Sequence, residues 1–235
     1  MARARDTGGE RLMLLLLATT LAAPVLVLAA ALGTQFGLWP PEVGWSRLTW
    51  GVAQPLSWLG LLAGLAALGL SFARFAQRWR FGLLAALVAV SVSGAFFAQT
   101  LKQAGAGGTP ADVSSDAAEP PAFSAAVSAQ LARSDGRDLG GPSACPGLHT
   151  VPKQIAPGVA AWALEQAGFR ARGAAAFRAD GVREGFWFGF THYAAVRIRP
   201  GQTDVRVAAL FPAADDGEAC RLAVRLVQAL ETPAA

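Results

Sequence analysis

Residues 12–32 read LMLLLLATTLAAPVLVLAAAL, 21 positions without a charge. A helix rises about 1.5 Å per residue, so this run covers about 30 Å, one hydrocarbon core. Backbone groups find no water at that depth, and a helix bonds all of them internally. Pro24 lies inside the run, where a spanning helix accepts it with a kink. Working outward, residues 55–73 and 81–98 form two further uncharged runs. The sequence therefore predicts three spans, at 12–32, 55–73 and 81–98. A cleaved leader is the competing reading of the first, because Arg3 and Arg5 precede it and residues 29–31 are all alanine. The apolar part of a leader is about 7–15 residues long, so the length favours a retained helix.

The charges are divided accordingly. The chain has 235 residues, 53% hydrophobic and 15% charged, against about 25% charged in ordinary soluble domains. Of 20 basic and 16 acidic residues, only Glu42, Arg47, Arg74, Arg78 and Arg80 fall between positions 12 and 98. This predicts a membrane block over residues 1–101, a flexible tether over 102–111 (KQAGAGGTPA), and an exported domain over 112–235. That last segment carries 12 basic and 13 acidic groups. Near-neutrality gives it no field that collects phosphate backbones, so nucleic acid is not an expected partner.

Arginine placement predicts sidedness. Arg3, Arg5 and Arg11 precede the first span, and Arg74, Arg78 and Arg80 crowd the second connection. Positive loops stay cytoplasmic. The expectation is a cytoplasmic N-terminus in a bacterial inner membrane and a periplasmic C-terminal domain. Trp39, Trp45 and Trp50 in the first loop, with Trp58 beyond it, suit interfacial anchoring. Gly60 and Gly64 form a G-x-x-x-G that lets helices approach, read here as packing within the chain. The spans carry no ionisable residue, which disfavours transport by this block alone.

In the exported domain, residues 122–133 and 157–168 read as helices and 134–147 as a Gly/Pro loop. Residues 169–177 and 184–190 read as strands, the latter with Phe186, Phe188 and Phe190 on one face. Residues 193–199 and 204–210 alternate strictly, as half-buried strands do. A four-residue turn at 200–203 would set Arg199 opposite Asp204 and Arg197 opposite Arg206. Residues 217–230 close the chain as an amphipathic helix with Leu222, Leu226 and Leu230 in register. The expected fold class is thus a three-helix transmembrane block followed by an α+β domain, an antiparallel sheet covered by helices.

Several residues in this pattern are familiar. Asp112, Ser114, Asp116, then Pro120, Pro121 and Phe123, resemble the opening of a bacterial family known as domain of unknown function 1499. Phe188, Gly189 and Phe190, then Val196 to Pro200, then Asp204 to Arg206, then Asp215, Gly217 and Arg221 resemble its closing part. The three-helix block, with Leu38, Trp39 and Gly44 in its first loop, is similar to the family's longer members. The resemblance implies the fold above and brings no established reaction. This chain departs from it at His192 and Tyr193, where the family carries two aspartates. It departs also at Val207, Ala209, Leu210 and Ala219, all polar positions in the family.

For chemistry, Cys145 and Cys220 are the only cysteines, and an oxidising compartment suggests that they pair. With His149 and His192 they also make a weak four-ligand zinc set, which is not the expected use, and no metal or other cofactor is expected. Ser114 or Ser115 with His192 and an aspartate supply the residue types of a triad, but no G-x-S-x-G surrounds either serine, so no catalytic residue is assigned. Arg197, Arg199 and Arg206 share one strand face, and their fork geometry suits an anion such as a lipid headgroup. The expected partners are the bilayer itself, lipid headgroups, or another envelope protein. The expected role is a binding or interaction module of the cell envelope. The alternative is an exported hydrolase or metal-dependent enzyme using His192 and nearby acids.

Overall fold

The computed structural model describes residues 7–74, 79–106, 109–134 and 138–232. The chain divides into two compact units, Met1–Lys102 and Gln103–Ala235. Arg3, Arg5 and Arg78, used above to argue sidedness, lie outside the described residues.

The first unit contains α1 (Thr7–Gln35), a π-helix (Glu42–Ala53), α2 (Gln54–Arg74) and most of α3 (Trp79–Ala106). Three stretches are long and apolar enough to cross a bilayer: Gly9–Gln35, Glu42–Ala73 and Trp79–Gly105. The protein is therefore a membrane protein. Each span is longer than the uncharged run that announced it. The largest difference is at residues 42–53, expected as loop and found helical, continuous with α2. Its wider winding shows in the Gln54 amide, which donates to the Thr49 carbonyl five residues back, and in the Thr49 hydroxyl, which donates to the Gly44 carbonyl at 2.8 Å. The turn that remains is short, and Trp39 folds back from it. Its indole Nε1 donates to the Ala30 carbonyl at 3.2 Å, and its ring occupies the space a side chain at Gly33 would need. Trp45 and Trp50 pack edge to face, 5.8 Å apart, so these tryptophans sit on helix or against it, not in an open loop.

The G-x-x-x-G serves two neighbours. A Cβ on Gly60 would meet the Thr19 carbonyl of α1 at 3.4 Å, and one on Gly64 would sit 2.8 Å from the Ala89 Cβ of α3. Ser93 of α3 donates to the Ser57 carbonyl of α2 at 3.0 Å. Apolar packing gains little where lipid is the solvent, so close backbone approach and such bonds carry the association. Leu14, Leu15, Leu62 and Phe72 face outward, as a lipid-facing surface requires.

The second unit is built on six strands: β1 (Asp112–Ser114), β2 (Leu139–Gly140), β3 (Arg170–Ala175), β4 (Arg178–Glu184), β5 (Thr191–Arg199) and β6 (Gln202–Ala209). Their order is β2-β1-β6-β5-β4-β3. All neighbours are antiparallel except β1 and β2, so the sheet is mixed and not purely antiparallel. Helices α4 (Ala125–Leu131), α5 (Pro157–Gln166) and α6 (Glu218–Glu231) complete the domain, with a 3-10 turn at Pro212–Ala214. Pro157 opens α5, where its missing N–H costs nothing, and Gly168 at φ +89° ends it.

One face of the sheet is the core. Ala194, Val196 and Ile198 of β5 and Val205 and Val207 of β6 meet Leu164 of α5 and Leu222, Leu226 and Leu230 of α6. Cys145 and Cys220 form a disulfide with Cα atoms 5.6 Å apart, pinning the β2–α5 loop to the start of α6. Closing 75 residues of chain stabilises by about 4 kcal/mol on the entropic account.

Several local expectations are corrected. β1 lies where no strand was expected, and β2 lies inside the expected Gly/Pro loop. β4 was missed, and residues 185–190 form a loop rather than a strand. The tether at 102–111 begins as helix, because α3 runs to Ala106, and ends as sheet, because the Ala209 amide donates to the Ala111 carbonyl at 2.7 Å. Its residues 107 and 108 lie outside the described residues. The β5–β6 turn holds two residues, not four. Pro200 presets one turn dihedral and Gly201 at φ +77° supplies the other. Pairing is therefore Arg197 with Asp204, Arg199 with Gln202 and Ala195 with Arg206. The two-residue slip keeps every side chain on its expected face.

Candidate functional site: the outer sheet face

The face opposite the core is set by strand alternation: Tyr193, Ala195, Arg197 and Arg199 on β5, and Asp204, Arg206 and Ala208 on β6. The segment from β1 to α4 crosses it. Ser114 and Ser115 fasten that segment. The Ser114 hydroxyl donates to the Asp116 carbonyl at 2.8 Å, and Ser115 Oγ accepts from the Val205 amide at 2.9 Å. Both serines are thus engaged in backbone fastening, and His192 projects to the core face, so the triad types are not brought together.

The arginines all have carboxylate partners. Asp204 is fully buried. Its Oδ2 accepts from Arg197 NH2 at 3.0 Å and Arg199 NH2 at 2.8 Å, and its Oδ1 from the Thr150 hydroxyl at 2.9 Å. Asp116 Oδ2 accepts from the same two guanidiniums at 3.1 and 3.0 Å, and Glu119 Oε2 from Arg199 NH1 at 2.9 Å. The Glu119 backbone amide holds the Asp116 carboxyl below its ordinary range; burial opposes this and the two arginines reinforce it. Arg206 grips Asp112 through two bonds of 2.9 and 2.8 Å and lies 4.7 Å over the Phe123 ring. A buried carboxylate must be paired or it costs several kcal/mol, so these contacts hold the face together. The expected anion cradle at Arg197, Arg199 and Arg206 is occupied by the chain's own acids. Pro121 takes part through its carbonyl, which accepts from Arg206 NH1 at 3.3 Å.

Beside this network the face is open. A groove of about 300 Å³ runs between α4 and strands β3–β5, lined by Phe123, Val127, Gln130, Arg172, Val182 and Tyr193 among others. The Tyr193 hydroxyl donates to Gln130 Oε1, and burial pushes its pKa up, with nearby Arg172 opposing. Arg172 forms no ion pair with any described residue. Sequence reading missed the groove because α4 had to be placed over the sheet first. The available signal was Tyr193 sharing a strand face with Arg197.

The remaining motif residues gather at one end of the sheet. His192 Nε2 pairs with Asp215 Oδ1 at 2.9 Å, both buried. The same Asp215 oxygen accepts from the Ala219 amide at 2.9 Å, while Oδ2 is buried without a partner. Gly217, at φ +75°, caps α6. Glu218 collects Arg183, Arg221 and Arg225; burial raises its pKa, yet Arg221 and Arg183 bring it below the ordinary value. Phe188 stacks on Phe190, and Phe190 on Phe211, while Gly189 at φ +62° turns the loop. His149 lies elsewhere, on Glu231 at 2.7 Å. With both cysteines in a disulfide, the four-residue zinc set does not form, and among the described residues no three metal-ligating side chains converge. No family model, curated protein or solved structure matches this chain.

Proposed function

We propose that this is a bacterial inner-membrane protein whose α+β domain stands on the extracytoplasmic side and works as a binding module of the cell envelope. The observation that carries the binding role is the groove on the outer face. It has an apolar floor, a phenol–amide pair in Tyr193 and Gln130, and the Arg172 guanidinium at its rim. That combination fits a small amphipathic ligand with a carboxylate or phosphate. Two features support the placement. The disulfide suits an oxidising compartment, and arginines flank the connection between the second and third spans. The resemblance to the domain of unknown function 1499 family is compatible with this reading and adds no reaction to it. Two positions where the chain departs from that family, His192 and Ala219, both bond to Asp215, and a third, Ala209, is the strand partner of His192.

A reporter fused after Ala235 tests the placement. Active alkaline phosphatase is expected, and a fluorescent cytosolic-type fusion with no phosphatase activity would refute it. A photoreactive residue at Val127 tests the groove in intact cells. A discrete adduct that Arg172→Gln abolishes is expected, and no adduct, or one indifferent to Arg172, removes the binding role. A second reading, an exported hydrolase, draws on the buried His192–Asp215 pair. It predicts ester or amide cleavage lost in His192→Gln.

A further inference from the structure

We infer that the loop joining β4 to β5 inserts Phe186 and Trp187 into the interface of the bilayer that the protein's own helices span. The inference rests on the membrane-spanning helices and not on the groove or on which side the domain occupies.

The two rings are 78% and 60% exposed at a loop tip, packed edge to face 5.2 Å apart. They stand on a firm base, since Phe188 behind them is 9% exposed and heads the Phe188–Phe190–Phe211 stack. Water around two adjacent aromatic rings is costly, and burying them relieves that cost. Tryptophan and phenylalanine recover that at the headgroup boundary.

Topology supplies the occupant. β4 ends at Glu184, β5 begins at Thr191, and β6 ends at Ala209, opposite His192. β1 begins at Asp112, opposite Ala208. The tip and the point where the chain arrives from α3 are therefore at the same end of the sheet. Three strand spacings, about 15 Å, separate them across the sheet. α3 ends at Ala106, and the six residues from there to Asp112 reach at most about 20 Å. A lipid surface within reach of the last span is within reach of the tip.

Charge does not compete with this assignment. At this end Arg170 pairs with Glu184, Arg183, Arg221 and Arg225 all pair with Glu218, and Arg221 also donates to the Asp216 backbone carbonyl. With the neighbouring Asp215 and Asp216 counted, the four arginines are balanced by as many acidic residues, so the rings drive insertion and lipid charge has little influence.

The test uses the full chain with an environment-sensitive dye at Trp187→Cys, attached without reductant so that the native disulfide persists. The protein is reconstituted in phosphatidylcholine vesicles with or without spin-labelled lipid. The control is the same dye at Phe177→Cys, in the β3–β4 turn at the opposite end of the sheet, where Phe177 is 67% exposed. Lipid quenching at position 187 at least about threefold that at 177 is expected, and equal in anionic vesicles. Equal quenching at both positions, or none at 187, overturns the inference. So does a blue shift at 187 without lipid quenching, which would assign the tip to a second copy or another protein. Phe186→Cys carries the dye in a second variant, so that misfolding of one is recognised by disagreement between the two.

Discussion

The two faces of the sheet are held by opposite physics. The core face packs Val196, Val205, Leu222 and Leu226 by apolar contact, with its buried His192–Asp215 pair confined to one end of the sheet. The outer face buries Asp204 completely and satisfies it with Thr150, Arg197 and Arg199. Apolar packing loses energy in proportion to what is removed. An ion network fails unevenly, because deleting one member leaves a charge stranded in low dielectric. The core face is thus the tolerant one, and the outer face fixes one arrangement of the β1–α4 segment.

Four perturbations sharpen or break that contrast, read by urea unfolding of the full chain in mild detergent. The largest concerns the strap that ties a loop to the core helix. Cys145→Ser with Cys220→Ser should cost about 4 kcal/mol, and an unshifted transition would show that packing alone orders that loop. Asp204→Ala should cost about 3–4 kcal/mol and loosen the β1–α4 segment, seen as faster hydrogen exchange at Ser115 and Val205. A cost near zero would mean that the network is ornamental and the contrast false. Leu226→Ala should cost about 3 kcal/mol with the outer face unchanged. A broadened transition would instead couple the two faces. The smallest effect lies at the exposed His149–Glu231 pair. The bond to Glu231 raises the His149 pKa, and burial opposes it less strongly. Its contribution is therefore complete below the unfolded ring's value near about 6.5 and disappears as pH rises through the higher folded value. Solvent screening keeps it under about 1 kcal/mol, and Glu231→Gln should erase the pH dependence.

Much of this architecture was legible in the residues. The three spans needed only length and the absence of charge. The β5–β6 hairpin and α6 followed from alternation and a leucine repeat. What escaped was short or ambiguous. Asp112–Ser114 and Leu139–Gly140 are too brief to show any period, and only pairing with β6 and β2 makes β1 a strand. Arg178–Glu184 reads RADGVRE, polar enough to pass for a turn, because its outer side is paired or half-exposed. Glu42 and Arg47 made residues 42–53 look like loop, although the wide helix carries both at its outward side. The arginines of the outer face were found correctly as a group. Their partners were not, since Asp112, Asp116 and Glu119 lie some eighty or more residues away in sequence.

β3 reads RARGAA and shifts register between Ala171 and Gly173, with β2, only two residues long, at the other margin. Molecules confined to a membrane meet by lateral diffusion in two dimensions, far more often than in free solution. A flat unpaired border there would zip one copy onto the next through backbone bonds. Interrupted pairing and the Arg170 and Arg172 guanidiniums along that border make it a poor template for a neighbour.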